Sequence, residues 1–515
     1  MNEYTTYAIM PNGFAKLPNE ILQLVLALLK KSHDWLMLGR TCRHLYNRVI
    51  PMLYESIETP CYCIGIHKTL VYALLNHPEL AYSVRRLKLG RLPYGTDPKT
   101  YSNHQHGHHD KLDSQHPSSQ SWQQRLFEII HTLADRKWEQ TQWIEDLQSN
   151  NHRDPWLAIL LSLLPNLQTI ELFWGGTGTR YSSWVLSRIS QRYTPFDTQP
   201  FWQNLHTAII KVPEDEGADF SIQRLVPFFT IPSMRIFKGQ LLTDKYLEPT
   251  LDIGTSSITH LEFIQCSSVL GFGYLIDLCP NLESFKYTQQ EDDCCHRSPG
   301  YNSVYFDTLR PTAFRDALAR RKNTLQSITV DIARRSSNYG GSYSDDWIGS
   351  MADFTKLRYL QIRASNFIGR GHANRWDVDP VPRVGLVEFL PQCIEELWIS
   401  DISNQAMGRI MREVGRLVLG SGEKGRFGGL KRIDVEGRKW LKEGEGANGG
   451  GKEVWREMYP NYASLLKEDV LVQTERVSCA CLERGIEFYV RDSMVEGVFE
   501  EYDDVFLFVR DDEED

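Results

Sequence analysis

Leu163-Leu164-Pro165-Asn166-Leu167 and Leu278-Cys279-Pro280-Asn281-Leu282 are almost the same phrase, 115 residues apart. In each, the Pro-Asn pair stops a helical stretch and turns the chain toward an extended segment. The extended segments match as well: Leu167-x-x-Ile170-x-Leu172 and Leu282-x-x-Phe285-x-Tyr287. The closing apolar alternation has the period of a half-buried strand. The same spacing recurs at Val84-Leu87-Leu89, Leu205-Ala208-Ile210, Met234-Phe237 and Ile258-Leu261-Phe263. It continues at Leu325-Ile328-Val330, Leu357-Leu360-Ile362, Ile394-Leu397-Ile399 and Leu430-Ile433-Val435. A final alternation, Ile486-Phe488-Val490, reads as a last strand.

From Leu167 to Leu430 the first anchors are spaced 38, 29, 24, 24, 43, 32, 37 and 36 residues apart. Steps of 24 fit a leucine-rich repeat, and the longer ones imply insertions or longer helices. Ile258-x-x-Leu261-x-Phe263-x-x-Cys266 fits the cysteine-bearing form of that repeat in full. The alternative is an α/β domain of unrelated βα units. The repeat reading predicts an α/β fold: an irregular leucine-rich-repeat solenoid over 58–495, with parallel strands inside and helices outside. Such units stack because none can bury its faces alone. Segments 156–161 and 314–319 read as two of the outer helices, and 54–57 as a first strand.

The chain has 515 residues, 41% of them hydrophobic and 24% charged. That is ordinary globular usage and excludes collagen-like, mucin-like or wholly disordered chains. Its net charge of −9 argues against a general nucleic-acid binder. No apolar run reaches the length of a membrane span, and residues 1–15 lack the pattern of a secretory signal. Neither a membrane nor a nucleic acid is therefore expected as a partner. None of the ten cysteines forms a C-x-x-C pair, so they read as reduced thiols of a cytoplasmic or nuclear protein.

The N-terminal segment carries more apolar surface than one core needs. Leu17, Ile21, Leu22, Leu24, Val25, Leu26, Leu28 and Leu29 fall on one arc of roughly 200° at helical spacing. An ordinary surface helix shows a stripe starting at about 100°. A second helix is predicted over 34–49, ended by Pro51. Two short helices amount to about 40 residues, near the lower limit for independent folding. Periodicity leaves two readings open, a cap on the larger domain or a docking surface for another protein.

These residues resemble a known family. Leu17-Pro18-x-Glu20-Ile21-Leu22-x-x-Val25-Leu26-x-x-Leu29 is similar, position by position, to the opening of the F-box motif. Thr41-Cys42-Arg43-His44-Leu45-Tyr46 and Pro51-Met52-Leu53-Tyr54 resemble its second half as written in fungal F-box proteins. The resemblance covers residues 14–57. It implies an F-box domain that docks on the Skp-type adaptor of an SCF ubiquitin ligase and, through it, on cullin. The contact residues it implies are Leu17, Pro18, Ile21, Val25, Leu28 and Leu29, with Leu38 and Cys42 from the second helix. Leu22 and Leu26 then face the rest of the chain. The family's short acidic turn is replaced by Lys30-Lys31-Ser32-His33-Asp34, a departure that leaves the apolar anchors in place.

Several segments interrupt the repeat. Insertions are expected at 94–120 (rich in His, Ser and Gln), 334–346 and 436–453, with a further loop at 369–383. Residues 1–13 read as an N-terminal arm and 496–515 as a solvated acidic tail. His104, His106, His108 and His109 tempt as metal ligands, but a loop so polar supplies little to hold them in geometry. Gly175-Gly176-Thr177-Gly178 lacks the Gly-Lys-Ser/Thr ending of a phosphate loop. No nucleophile elbow or H-E-x-x-H helix is present. The sequence therefore assigns no catalytic residue, metal or cofactor.

In each strand the residues between anchors share the open face. Among them Phe173, Arg363 and Trp398 are the candidate anchors for an unknown protein substrate, because binding energy concentrates in aromatics and arginine. The expectation is a non-catalytic substrate receptor. Its rivals are an F-box protein acting outside a cullin ligase, and a plain repeat scaffold.

Overall fold

In a computed structural model of the chain, the described residues are 18–29, 32–59, 64–90, 119–149, 153–174, 179–212, 222–243, 247–248, 251–266, 268, 272–289, 311–332, 347–368, 384–402, 404–421, 425–437 and 468–492. They form two compact units, one running to Phe237 and one from Lys238 onward with 221–223 attached.

The first unit opens with three helices, α1 (Asn19–Leu28), α2 (Ser32–Gly39) and α3 (Arg43–Glu55). The single helix expected over 34–49 is thus two. Thr41 folds back on the end of α2, its hydroxyl donating to the Leu38 carbonyl at 2.7 Å. Cys42 is extended (φ −160°) and starts α3. Pro51 does not end α3 but lies inside it. A mid-helix proline costs about 3 kcal/mol. Leu45 and Val49, with Met52 and Leu53 beside them, bury one face of α3 and offset that cost.

β1 (Ser56–Thr59) comes directly after it, then α4 (Ile64–Asn76), α5 (Pro78–Ala81) and β2 (Arg86–Leu89). Next come α6 (Ser119–Leu133), α7 (Lys137–Gln148), α8 (Asp154–Leu163) and β3 (Thr169–Phe173). The unit closes with α9 (Arg180–Ser190), β4 (Thr207–Lys211), a 3-10 turn (Ile222–Thr230) and the start of β5 (Ile236–Gln240). β1 to β4 pair in parallel, in chain order. Residues 119–120, expected in an insertion, begin α6 instead. The rest of that insertion lies outside the described residues.

α8 contains the expected 156–161 helix, and every residue from Asp154 to Leu161 is buried. Asp154 uses that burial. Its carboxylate accepts the backbone N–H groups of Tyr181 and Ser182 and the Ser182 hydroxyl. It thereby caps α9 from a neighbouring helix, satisfying donors that Thr179 leaves open. Burial still pushes its pKa up to about 6. In α4, burial and then the nearby Arg153 charge hold His67 down to about 4, so its imidazole is neutral.

The second unit carries β6 (His260–Cys266), α10 (Gly273–Leu278), β7 (Ser284–Gln289), α11 (Pro311–Ala319), β8 (Ser327–Asp331) and β9 (Tyr359–Arg363). It continues with α12 (Ala364–Ile368), α13 (Leu386–Phe389), β10 (Glu396–Ile402), α14 (Asn404–Leu419), β11 (Arg432–Gly437), α15 (Glu468–Glu483) and β12 (Glu487–Asp492). β6 to β12 are again parallel and in chain order. The helices cover one side of the strands, as the repeat reading predicts.

The anchors of all ten phrases from Val84 to Val435 are buried. Adjacent strands bring them side by side: Leu261, Phe285, Ile328, Leu360, Leu397 and Ile433 share one register row. Cys266 shows what the cysteine-bearing phrase does. β6 bulges between Phe263 and Cys266, with Gln265 in the left-handed region (φ 50°). The bulge turns the thiol into the core, where it accepts the Leu242 N–H at 3.3 Å and lies 3.5 Å from the Gly239 carbonyl. β10 repeats the device, with Asp401 at φ 54° turning Ile402 inward.

Segments 334–346, 369–383, 438–453 and 496–515 lie outside the described residues, as do His104 to His109, Gly175 to Gly178, Cys61, Cys63, Cys294 and Cys295. Residues 436–437 close β11 rather than opening a loop. Among the described residues no helix is long and apolar enough to cross a membrane.

Candidate functional site

Two surfaces stand out, the helical start of the first unit and the open strand face of the second. In the helical start, Leu22 and Leu26 of α1 pack on Leu45 and Val49 of α3. Leu29, Trp35, Leu38 and Cys42 close the edges of that small core. Trp35 also pins the α1 C-terminus, since its Nε1–H donates to the carbonyls of Leu26 (3.0 Å) and Leu29 (2.9 Å). The Leu26 carbonyl also accepts the Leu29 N–H at 3.1 Å, and the indole adds a side-chain cap to this last turn.

The remaining apolar residues of α1 point outward. Ile21 is 44% exposed, Leu24 64% and Leu28 79%. Leu36 and Met37 of α2 and Tyr46 of α3 are exposed as well. The sequence arc therefore splits into one covered face and one bare face. Of the residues singled out in the sequence, Pro18, Ile21 and Leu28 are exposed and Val25 is half-buried. Leu29, Leu38 and Cys42 are half-buried against the hairpin's own core. Leu17 lies outside the described residues. Leu24, Leu36 and Met37 were not singled out, although helical spacing already put Leu24 on the arc.

The open strand face is built from register rows. Glu262, Lys286, Thr329, Gln361, Trp398, Asp434 and Tyr489 form one continuous row across β6 to β12. Its charged members, Glu262, Lys286 and Asp434, each have an ion-pair partner. Glu262 holds Lys238 at 2.7 Å and Lys286 at 3.0 Å. Burial opposes its ionisation, but the hydrogen bonds from both ammonium groups outweigh that and keep its carboxyl below the usual range. Arg432 pairs with Asp434 at 2.6 Å and lies 4.8 Å from the Tyr489 ring centroid. Trp398 donates its Nε1–H to Glu436 at 3.0 Å.

This geometry changes the reading of the three substrate candidates. Arg363 is only 7% exposed. Its guanidinium is clamped between Asp331 and Asp401, the latter at 3.1 Å. The register brings three strands' charges together there, so Arg363 is a buried cross-strand tie and not an exposed anchor. Trp398 is half-buried with its N–H engaged. In the first unit Phe173 is half-buried too, with the Lys211 ammonium 5.9 Å from its ring centroid and 3.0 Å from Glu171. Both aromatics keep part of their surface on the open face. Lys286 and Tyr489 are more exposed, and neither has an apolar signature in the sequence.

The six described cysteines carry free thiols. Burial pushes Cys279 up to about 12 and Cys481 up to about 11, so neither is a nucleophile near neutrality.

A family model described as a leucine-rich repeat domain matches residues 65–424, well over half of the chain. No curated protein matches it. The matched span runs from α4 to beyond α14 and takes in β2 to β10, the strands whose anchors build the core. Such a stack of βα units presents an extended strand face, which is a protein-interaction scaffold. By its repeating phrase, its strand order and this match, the chain belongs to the leucine-rich repeat domain family.

Proposed function

We propose that this chain is the substrate-recognition subunit of an SCF-type E3 ubiquitin ligase. Residues 14–57 act as an F-box domain that binds a Skp-type adaptor and, through it, cullin. Residues 58–495 act as the repeat domain that takes a protein substrate on the open strand face. The chain performs no chemistry itself. It holds substrate near the ubiquitin-loading machinery, so that a bimolecular step becomes effectively intramolecular. The compartment is cytoplasmic or nuclear.

One observation carries the reading: α1 buries Leu22 and Leu26 inside its own hairpin and leaves Ile21, Leu24 and Leu28 bare. A cap needs only the covered face. Fully burying a leucine or isoleucine contributes about 1.5–3 kcal/mol, so three bare ones form a strong anchor for a partner. The F-box resemblance of the same residues names that partner. Pro18, Ile21, Leu24 and Leu28 are the central contacts, with Leu17 before them and Leu36 and Met37 beside them. Val25, Leu29, Leu38 and Cys42 contribute mainly by shaping the hairpin that presents them.

The test is a pull-down of the full chain with a Skp-type adaptor and cullin. A Leu17→Ala, Pro18→Ala, Ile21→Ala variant with unchanged circular dichroism is the control. Capture of both proteins by the wild type and neither by the variant supports the receptor. Capture of adaptor without cullin replaces it with an F-box protein acting outside a ligase. No capture leaves a repeat scaffold with a helical cap.

A further inference from the structure

α7 and α9 both pack on α8. Side-chain ties at their two ends hold them antiparallel: Arg188 on Asp135 at 2.7 Å, and the Tyr181 hydroxyl on Asp146 at 2.6 Å. Aromatic rings and guanidinium groups fill the space between the ties. Trp143 is buried, with ring centroids 4.7 Å from Tyr181 and 5.7 Å from Trp184. Trp184 is half-buried, and the Arg188 guanidinium lies 5.7 Å from its ring centroid. Arg180 lies 5.6 Å from the ring centroids of both Trp138 and Tyr181. Arg180, Trp184 and Arg188 follow one another at intervals of four residues, so they share one stripe of α9. Trp138 borders that stripe from α7 and is 55% exposed, far more than a tryptophan usually is.

The charges of this face are out of balance. Arg188 is spent on Asp135 and on the Thr194 carbonyl. Arg180 is exposed and has no carboxylate partner among the described residues. The same holds for Arg136, Lys137 and Arg192, exposed beside the Asp135–Arg188 tie. α9 carries no acidic residue. On α7, Glu139 accepts the Arg136 N–H at 3.1 Å and Asp146 is taken by Tyr181. Among the described residues, Glu145 is then the one carboxylate of the two helices whose side chain has no partner. The face is therefore basic, on a chain of net charge −9.

We propose that the α7–α9 face docks an acidic segment of a partner protein. A carboxylate of that segment takes the Arg180 fork, and an apolar side chain beside it lies on Trp138 and Trp184. Further acidic residues run toward Arg136, Lys137 and Arg192. Two rings hold the Arg180 guanidinium in place, so little freedom is lost when it forms a paired hydrogen bond to a carboxylate. Tryptophan and arginine are also the residues in which binding energy concentrates. The chain's net negative charge disfavours a nucleic acid as the occupant. The inference uses neither the bare face of α1 nor the open strand face, so it stands or falls separately from the receptor reading.

The probe is a fluorescein-labelled peptide of repeated Glu-Asp-Phe, titrated with the full chain at low salt and read by anisotropy. Trp138→Ala and Arg180→Glu, each with an unchanged melting temperature, should bind it at least tenfold more weakly. Arg180→Lys keeps the charge but loses the fork, and should lose less than Arg180→Glu. Lys137→Glu, a change at an exposed residue, should also weaken binding, and it decides the matter if Arg180→Glu alters the melting temperature. Amidating the acids of the peptide to Gln and Asn should abolish binding, and replacing its Phe with Ala should weaken it tenfold. No binding by the wild type, or equal binding by wild type and all the variants, overturns the inference. Displacement by single-stranded RNA at a lower concentration than by unlabelled peptide also overturns it, because the occupant is then a nucleic acid. Self-association of the chain that Trp138→Ala abolishes overturns it in favour of a second copy.

Discussion

Replacing Arg363 with alanine tests whether the open face uses that residue to bind or to hold itself together. The Arg363 side chain is 9% exposed, Asp401 16% and Asp331 31%. Breaking a buried ion pair costs about 3–5 kcal/mol, because the partner charges stay behind without compensation. Asp331 is close to a third exposed, so solvent screens part of that penalty. The discounted loss is about 3 kcal/mol, or a fall of about 6–10 °C in Tm for a unit of this size. The assay is thermal unfolding followed by near-ultraviolet circular dichroism at pH 7. Adding Asp331→Asn and Asp401→Asn to the alanine variant removes the stranded charges and should restore about half of the loss. An unchanged Tm with abolished substrate capture would refute the reasoning and return Arg363 to the binding surface.

The two faces of α1 should separate cleanly. Leu22→Ala should cost about 2–5 kcal/mol of stability as a core truncation, whereas Leu24→Glu with Leu28→Glu should shift stability by no more than about 0.5 kcal/mol and weaken adaptor capture at least tenfold. His67 and Asp154 have opposite pH signatures. The depressed pKa of His67 gives stability that is complete above about 6.5 and lost as pH falls toward about 4, worth about 3 kcal/mol. The raised pKa of Asp154 works the other way, giving stability that declines by about 3 kcal/mol as pH rises from about 4 to about 6. The two nearly cancel in the wild type, so chemical denaturation should show a steep acid loss in Asp154→Asn and a loss with rising pH in His67→Leu. A flat profile in both variants would count against the burial of these groups. Finally, the hydrogen bonds from Lys238 and Lys286 to Glu262 should be felt as stability lost when pH falls below about 4.5, absent from Glu262→Gln.

Much of the fold was legible in the sequence because it rests on short-range periodicity. Leu167-x-x-Ile170-x-Leu172 and its relatives declare a strand and its buried side within six residues, and the anchors from Val84 to Val435 are buried as that pattern requires. Cys266 was legible for the same reason, since its spacing from Phe263 encodes the bulge that turns it inward. The two-sided surplus on α1 was visible as an arc, which is a property of one helix alone.

Other features depend on neighbours that sequence separation hides. The break at Thr41 and Cys42 and the survival of α3 through Pro51 come from packing on Leu22 and Leu26, which local propensity does not contain. Asp154 reads as an ordinary acidic helix start until α9 brings its free N–H groups alongside. Arg363 reads as an exposed anchor until Asp331 and Asp401, 32 and 38 residues away, close on it from both adjacent strands. Which side of each strand is core follows from alternation, and alternation is local to the chain. Which open-face residues are spent on one another follows from the folded stack, because cross-strand partners are set by register, and register is settled by the stacking of whole units.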